Sequence, residues 1–171
     1  MGEADIARAI ANARSYLTAN PGDARYRDGA AAATIEDGLR VRVTGTDGST
    51  IVTDMVTGIG GSGSAPSPGW LFRAAYASCV ATLIAMRAAE EGWVLSALDV
   101  TVDSESDDRG ILGISPEIPA GPLSIRVEVR ASVPGVDAEV SRAAIEAAVA
   151  RCPVHDAVAR PVPVDIEVSA S

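Results

Sequence analysis

The stretch from Pro68 to Glu90 constrains this chain more than any other. Only Arg73 and Arg87 carry charge in it before Glu90, while Leu71, Phe72, Ala75, Cys79, Thr82, Leu83 and Met86 recur at helical spacing. Ser67 suits an N-cap, Pro68 the first helical position, and Gly92 a stop. A helix this apolar belongs at the centre of a fold, buried on most sides. The rest of the chain then has to supply the cover. Ala4 to Ala19 carries Ile6, Ile10, Ala13 and Leu17 at helical spacing, and Asn20-Pro21-Gly22-Asp23 ends it. Ala31 to Ile35 and Leu39 to Thr44 alternate as strands about Asp37-Gly38, and Thr50 to Met55 follows Asp47-Gly48 as a third. Beyond the central helix, Leu98 to Val102 and Leu123 to Val133 alternate as strands, and Asp107 to Gly113 between them reads as a bent strand segment. Asp137 to Arg151 is an amphipathic helix interrupted at Cys152-Pro153. Val154 to Ala159 suits one more turn, and Val162 to Val168 a last strand. The order α-βββ-α-ββ-α-β groups its strands, which favours an α+β fold with antiparallel sheets over a doubly wound one.

Composition narrows the function. The net charge is −9, which argues against nucleic acid and anionic lipid as partners. All 14 basic residues are arginine, so no lysine is available for a Schiff base or a phosphate-binding P-loop. Aromatic residues make up 4%, so Ala, Val, Ile and Leu must fill the core, joined by Trp70, Phe72 and Tyr76. No apolar run reads as a bilayer span. The acidic start Met1-Gly2-Glu3-Ala4-Asp5 lacks a signal core, so a cytoplasmic location is expected.

Few residues could carry chemistry. Cys79 lies inside the central helix, eleven residues past Pro68 and on the order of 16 Å from its start, where the helix dipole has faded. Cys152 stands before Pro153, in a position to cap the next helix, where amides and the dipole favour a thiolate. Local electrostatics therefore choose Cys152 as the more acidic thiol. His155 adds a Cys-x-x-His spacing, yet zinc generally needs at least three protein ligands and only Cys79 and Asp156 could join. No metal and no cofactor is expected. Gly58-Ile59-Gly60-Gly61-Ser62-Gly63 matches a dinucleotide fingerprint literally, but Ser64 to Ser67 separate it from the helix and no βαβ unit surrounds it. It reads as a flexible connector. Arg25 and Arg27 flank Tyr26 just before the first strand.

Taken together, Pro66-Ser67-Pro68, Ala74-Ala75-Tyr76-Ala77-Ser78-Cys79-Val80-Ala81, Asp108-Arg109-Gly110-Ile111-Leu112-Gly113 and Arg151-Cys152-Pro153-Val154 resemble the OsmC/Ohr family of osmotically inducible and organic hydroperoxide resistance proteins. The resemblance runs from about Arg25 to Val168, and the two cysteines stand 73 positions apart. It implies two central helices and an intertwined homodimer. Residues 1–22 are then an added N-terminal helical extension and 23–171 the family domain. The activity implied is reduction of organic hydroperoxides through two cysteines, recycled by a dithiol such as lipoyl groups. Carried across, Cys79 matches the attacking cysteine and Cys152 the resolving one. Arg27 matches the arginine that contacts the thiolate, with Arg25 as its substitute. Many members also have a glutamate near the start of the cysteine helix, and this chain has Pro68-Gly69-Trp70-Leu71 there. The rival implication is a non-catalytic protein of the same fold that binds an apolar ligand in its dimer cleft.

Overall fold

The computed structural model describes residues 2–170. Helix α1 spans Glu3–Ala19, followed by a single 3-10 turn at Pro21–Ala24. Strands β1 (Ala31–Asp37), β2 (Arg40–Gly45) and β3 (Thr50–Thr53) form an antiparallel sheet in that order. The central helix α2 runs Pro68–Glu90. Strands β4 (Ala97–Glu105) and β5 (Ser124–Ser132) make an antiparallel ribbon, with the short helix α3 (Asp108–Ile111) between them. Helices α4 (Ala138–Val149) and α5 (Pro153–Ala159) follow. The architecture is α+β with antiparallel sheets throughout, as the grouping of strands predicts.

The ends of α2 follow from its sequence. The Ser67 hydroxyl accepts the Trp70 amide at 3.2 Å, and Pro68 occupies the first turn, where no amide partner is needed. Gly92 adopts φ +69, and the Trp93 amide turns back to the Ala88 carbonyl at 2.8 Å. Between these caps Tyr76, Val80, Ile84 and Ala88 form a buried stripe at four-residue spacing. The ribbon supplies its floor. Leu98, Val100 and Val102 pair with Ala131, Val129 and Val127 on the inner face. The outer face pairs Asp99 with Arg130 and Asp103 with Arg126, the latter an ion pair at 2.7 Å. Burial inside and opposite charges outside pin the register, because a one-residue slip would exchange the two faces. Ala144 and Ala148 of α4 close the other side. Helix α1 crosses the far end of α2, where Arg14 pairs with Glu90.

Five expectations need correction. Asp107 to Gly113 is not a bent strand: the Asp107 carboxylate caps α3 by accepting the Arg109 amide at 3.0 Å. Gly110 is needed there because a Cβ would stand 2.2 Å from the Pro119 carbonyl oxygen. Val162 to Val168 forms no strand: among the described residues no strand pairs with it to complete a ladder, and Val164, Ile166 and Val168 are exposed. Of the three helix aromatics only Tyr76 is core. Trp70 and Phe72 lie on the first turns of α2 and are exposed. The α2 helix is in fact long and apolar enough to cross a membrane by length and composition alone. Alanine raises its hydropathy, and the helix is not buried on most sides as expected: its buried residues form one stripe, with β4, α1 and α4 packed against it.

The fifth correction concerns the glycine-rich loop, which is anchored rather than free. Asp54 is 2% exposed. Its carboxylate accepts the Met55 amide at 2.7 Å, the Ser62 hydroxyl at 2.5 Å, and the Ser64 amide and hydroxyl at 3.0 and 2.8 Å. These bonds hold its pKa below the usual carboxylate range, led by the Ser62 hydroxyl. Gly61 packs so closely on Met55 that a Cβ would sit 1.9 Å from the carbonyl oxygen. The glycines therefore let the chain fold around a buried carboxylate and do not cradle a phosphate.

Candidate functional site

The site lies where α2 meets α5. The chain reaches α5 through a tight turn after α4, in which the Cys152 amide bonds the Val149 carbonyl at 2.9 Å. Cys152 caps α5 with extended backbone, Pro153 takes the first turn, and the Asp156 amide returns to the Cys152 carbonyl at 2.9 Å. Pro153 thus separates two helices and places the cysteine at the joint. The Cys152 side chain is 0% exposed and belongs to one buried cluster with Tyr76, Val80, Ile84 and Ala148. Cys79 is partly exposed and packs against that cluster. The two thiols are neighbours, and both are free.

Burial sets the chemistry of Cys152. Loss of solvent pushes its thiol pKa up first, and the adjacent Cys79 thiol raises it further. The amides of His155 and Val154 pull the other way and are outweighed, and the sulfur makes no capping hydrogen bond. Cys152 is therefore not the readily ionised thiol that its capping position suggests. A helix N-terminus helps an anion only where the remaining environment does not strip away its solvation.

Two further side chains complete the cluster. The Tyr76 hydroxyl and His155 Nδ1 share a hydrogen bond at 2.5 Å, with ring centroids 6.0 Å apart. Tyr76 is 3% exposed, and burial followed by the nearby Cys152 raises its pKa, so the phenol keeps its proton. Neither residue was singled out from the sequence for this role. Each stands three positions from a cysteine, Tyr76 before Cys79 and His155 after Cys152, which on a helix is the spacing of neighbours. That symmetry was the available signal. His155 joins no metal-ligand cluster: among the described residues no three His, Cys, Asp or Glu side chains gather as one.

Arg25 and Arg27 are exposed and, among the described residues, take part in no ion pair or side-chain hydrogen bond. The structure does not bring either to the thiols. Nor does the first turn of α2 carry an acid. An open groove of about 570 Å³ runs between β5 and α4, lined by Val127, Val129, Ile145 and Val149 and reaching His155 at one end.

The family model described as OsmC-like protein matches residues 61–167, a span that takes in both cysteines. The chain belongs to the OsmC-like protein family. No curated protein matches it. Among solved structures, the OsmC-like chain is similar to an organic hydroperoxide resistance protein OsmC from Legionella pneumophila. That match has 24% identity and TM-score 0.58, covering 78% of this chain and 90% of the other. It is also similar to an OsmC like protein from Mycoplasma pneumoniae at 14% identity and TM-score 0.64, covering 79% and 89%. A third similar structure is an organic hydroperoxide resistance protein from Elizabethkingia anophelis, at 23% identity and TM-score 0.58, covering 78% and 89%. At these identities the likeness carries the fold of the OsmC-like chain.

Proposed function

We propose that the chain reduces organic hydroperoxides with its two cysteines. One observation carries this reading: thiols 73 positions apart in sequence are neighbours at the α2–α5 junction, one partly exposed and one buried. The partly exposed sulfur meets the substrate, and the buried one waits for it. The Cys79 thiolate attacks the distal peroxide oxygen, the O–O bond breaks, and the alkoxide takes a proton and leaves as alcohol. Cys79 is now a sulfenic acid. The Cys152 sulfur attacks it, an S–S bond forms, and the hydroxyl leaves as water with the Cys152 proton. A dithiol such as a lipoyl group then opens the disulfide by two exchange steps and is itself oxidised to a disulfide.

Arg27 is proposed to support the Cys79 thiolate, with Arg25 as its substitute. A guanidinium close to a thiolate favours the charged form. Arg27→Ala is expected to slow the peroxide step by about tenfold, the effect of roughly one pKa step. Arg25→Ala is expected to leave it near wild type. Equal effects, or the reverse, would move the assignment.

The proposed partner of the chain is a second copy. Strand β1 is exposed along its whole length, Ile35 and Ile51 stand uncovered, and the apolar residues of 162–168 are unpaired. Strand exchange in a homodimer would cover all three. Residues 23–171 are proposed as the family unit, extended by 1–22, in the reducing cytoplasm that keeps both thiols ready. No nucleic acid or membrane partner is proposed.

The test is a thiol titration before and after one equivalent of cumene hydroperoxide. Both thiols are expected to disappear together and to return with dihydrolipoamide. Two thiols untouched by the peroxide would overturn the reading. The groove of about 570 Å³ then favours the second one, a non-catalytic binder of an apolar ligand, checked by extracting the purified protein and identifying what it carries.

A further inference from the structure

Helix α5 has little to hold it. Its seven residues include none that is buried, and among the described residues Val154 is its one apolar side chain packed on the core cluster. Residues 161–170 beyond it pair with no strand. Yet α5 carries the backbone turn on which Cys152 sits, and disulfide closure requires the two sulfurs to meet within narrow limits of distance and dihedral. Among the described residues, one side-chain hydrogen bond joins α5 to α2: Tyr76 to His155 Nδ1 at 2.5 Å. Its two ends are placed one helical turn from each cysteine, so it spans the same gap as the disulfide would.

We propose that the Tyr76–His155 hydrogen bond is a positioning clasp that seats the α5 turn on α2 and so holds Cys152 against Cys79 for disulfide closure. The clasp acts by placing the cysteines and contributes no atom to the bond that forms. The proposal deepens the two-cysteine reading and rests on it only in that the two thiols close on each other. Tyr76 suits the task because the buried phenol has one polar atom and two side-chain torsions, so it points in a fixed direction at small entropic cost. His155 suits it because Nδ1 lies close to the backbone of the turn that must be held.

The test separates closure from peroxide chemistry by using diamide. One thiolate adds to the N=N bond of this diazene; the second thiol displaces the adduct. Two electrons and two protons pass to the diazene, which leaves as hydrazine, and the protein keeps the disulfide. Adduct formation and closure are followed separately by quenched mass spectrometry on the full chain. Tyr76→Phe and His155→Leu are expected to form the adduct at the wild-type rate and to close about tenfold more slowly, as loss of one well-made hydrogen bond predicts. His155→Asn is expected to close like wild type, because its side-chain oxygen stands where Nδ1 does and accepts from the phenol. That rescue distinguishes a directional clasp from simple filling of space. Wild-type closure in both Tyr76→Phe and His155→Leu would overturn the proposal, as would an Asn variant as slow as the Leu variant. Tyr76→Phe removes a single oxygen from a buried ring, so it reads the clasp even where His155→Leu disturbs folding. A parallel arm with cumene hydroperoxide judges the other reading: a wild type that closes with diamide but is inert to the peroxide overturns the peroxidase and not the clasp.

Discussion

Cys79→Ser is expected to lose hydroperoxide consumption entirely. A serine hydroxyl is not ionised at neutral pH, and oxygen has no counterpart to the reversible sulfenic acid on which turnover depends. Cys152→Ser is expected to behave differently. It should consume one equivalent of peroxide, stop at a Cys79 sulfenic acid and then over-oxidise, because no second thiol condenses with the first. The two variants together assign the roles. Cys79 is proposed as the attacking residue for a physical reason: Cys152 is completely enclosed, its thiol pushed up by burial, while Cys79 is partly exposed. A peroxide would have to open the core to meet Cys152 first. If Cys152→Ser failed to react and Cys79→Ser still consumed one equivalent, the roles would be exchanged. The measurement is peroxide consumption per protein, with dimedone trapping and intact mass to locate the oxygen.

Much of the fold was legible because it rests on local signals. The caps of α2 are written as Ser67-Pro68 and Gly92, and the strands β4 and β5 as alternating apolar and charged residues. Both kinds of signal act within a few residues, so sequence order is enough to read them. The misread segments depend on what lies far along the chain. Asp107 is a strong helix cap, but its neighbours also alternate acceptably for a strand, and what decides is the close approach of Gly110 to Pro119. Val162 to Val168 has a strand's pattern and no strand to pair with. The Asp54 loop looked flexible because glycine and serine dominate it, and its order comes from one carboxylate contributed by the preceding β3 segment.

The site divides in the same way. Cys79 and Cys152 were found by type and setting, and the resemblance joined them. The acidity of Cys152 was misjudged because capping is local and desolvation is not: Tyr76 and Val80, which help to bury it, lie 76 and 72 positions back in the chain. The pairing of Tyr76 with His155 escaped notice for a related reason. A lone buried tyrosine and a lone histidine are common, and only their equal distances from the two cysteines mark them. Arg27 remains a reading from resemblance, placed by the chain in solvent ahead of β1.

The second large effect is expected at Asp54, through stability rather than chemistry. Asp54→Ala would strand two amides and two hydroxyls that now converge on one carboxylate. Unpaired buried donors are costly, and the thermal midpoint is expected to fall by more than about 5 °C. Asp54→Asn keeps the shape and removes the charge, and it isolates the pH dependence. The folded pKa of Asp54 lies below its unfolded value near 3.8, so its contribution is complete above that value and is lost as pH falls through the folded pKa. The stability difference between wild type and Asp54→Asn is therefore expected to be constant from pH 7 to about 5 and to shrink steadily below about pH 4. Wild type alone would not show this, because Asp107, held at about 2 by the Arg109 guanidinium, and Glu36, lowered by Arg42, titrate in the same region. Subtracting the variant cancels them. Urea midpoints measured at several pH values make the comparison, and a difference that stayed flat from pH 7 to 3 would remove the carboxylate from its central place in the loop. Because the Asp54 carboxylate also holds the Ser64 amide and hydroxyl, three residues before the Ser67 cap, its loss should loosen the segment that leads into α2. Cys79 lies three turns further on, so its reactivity toward peroxide is expected to stay at the wild-type level below the new midpoint.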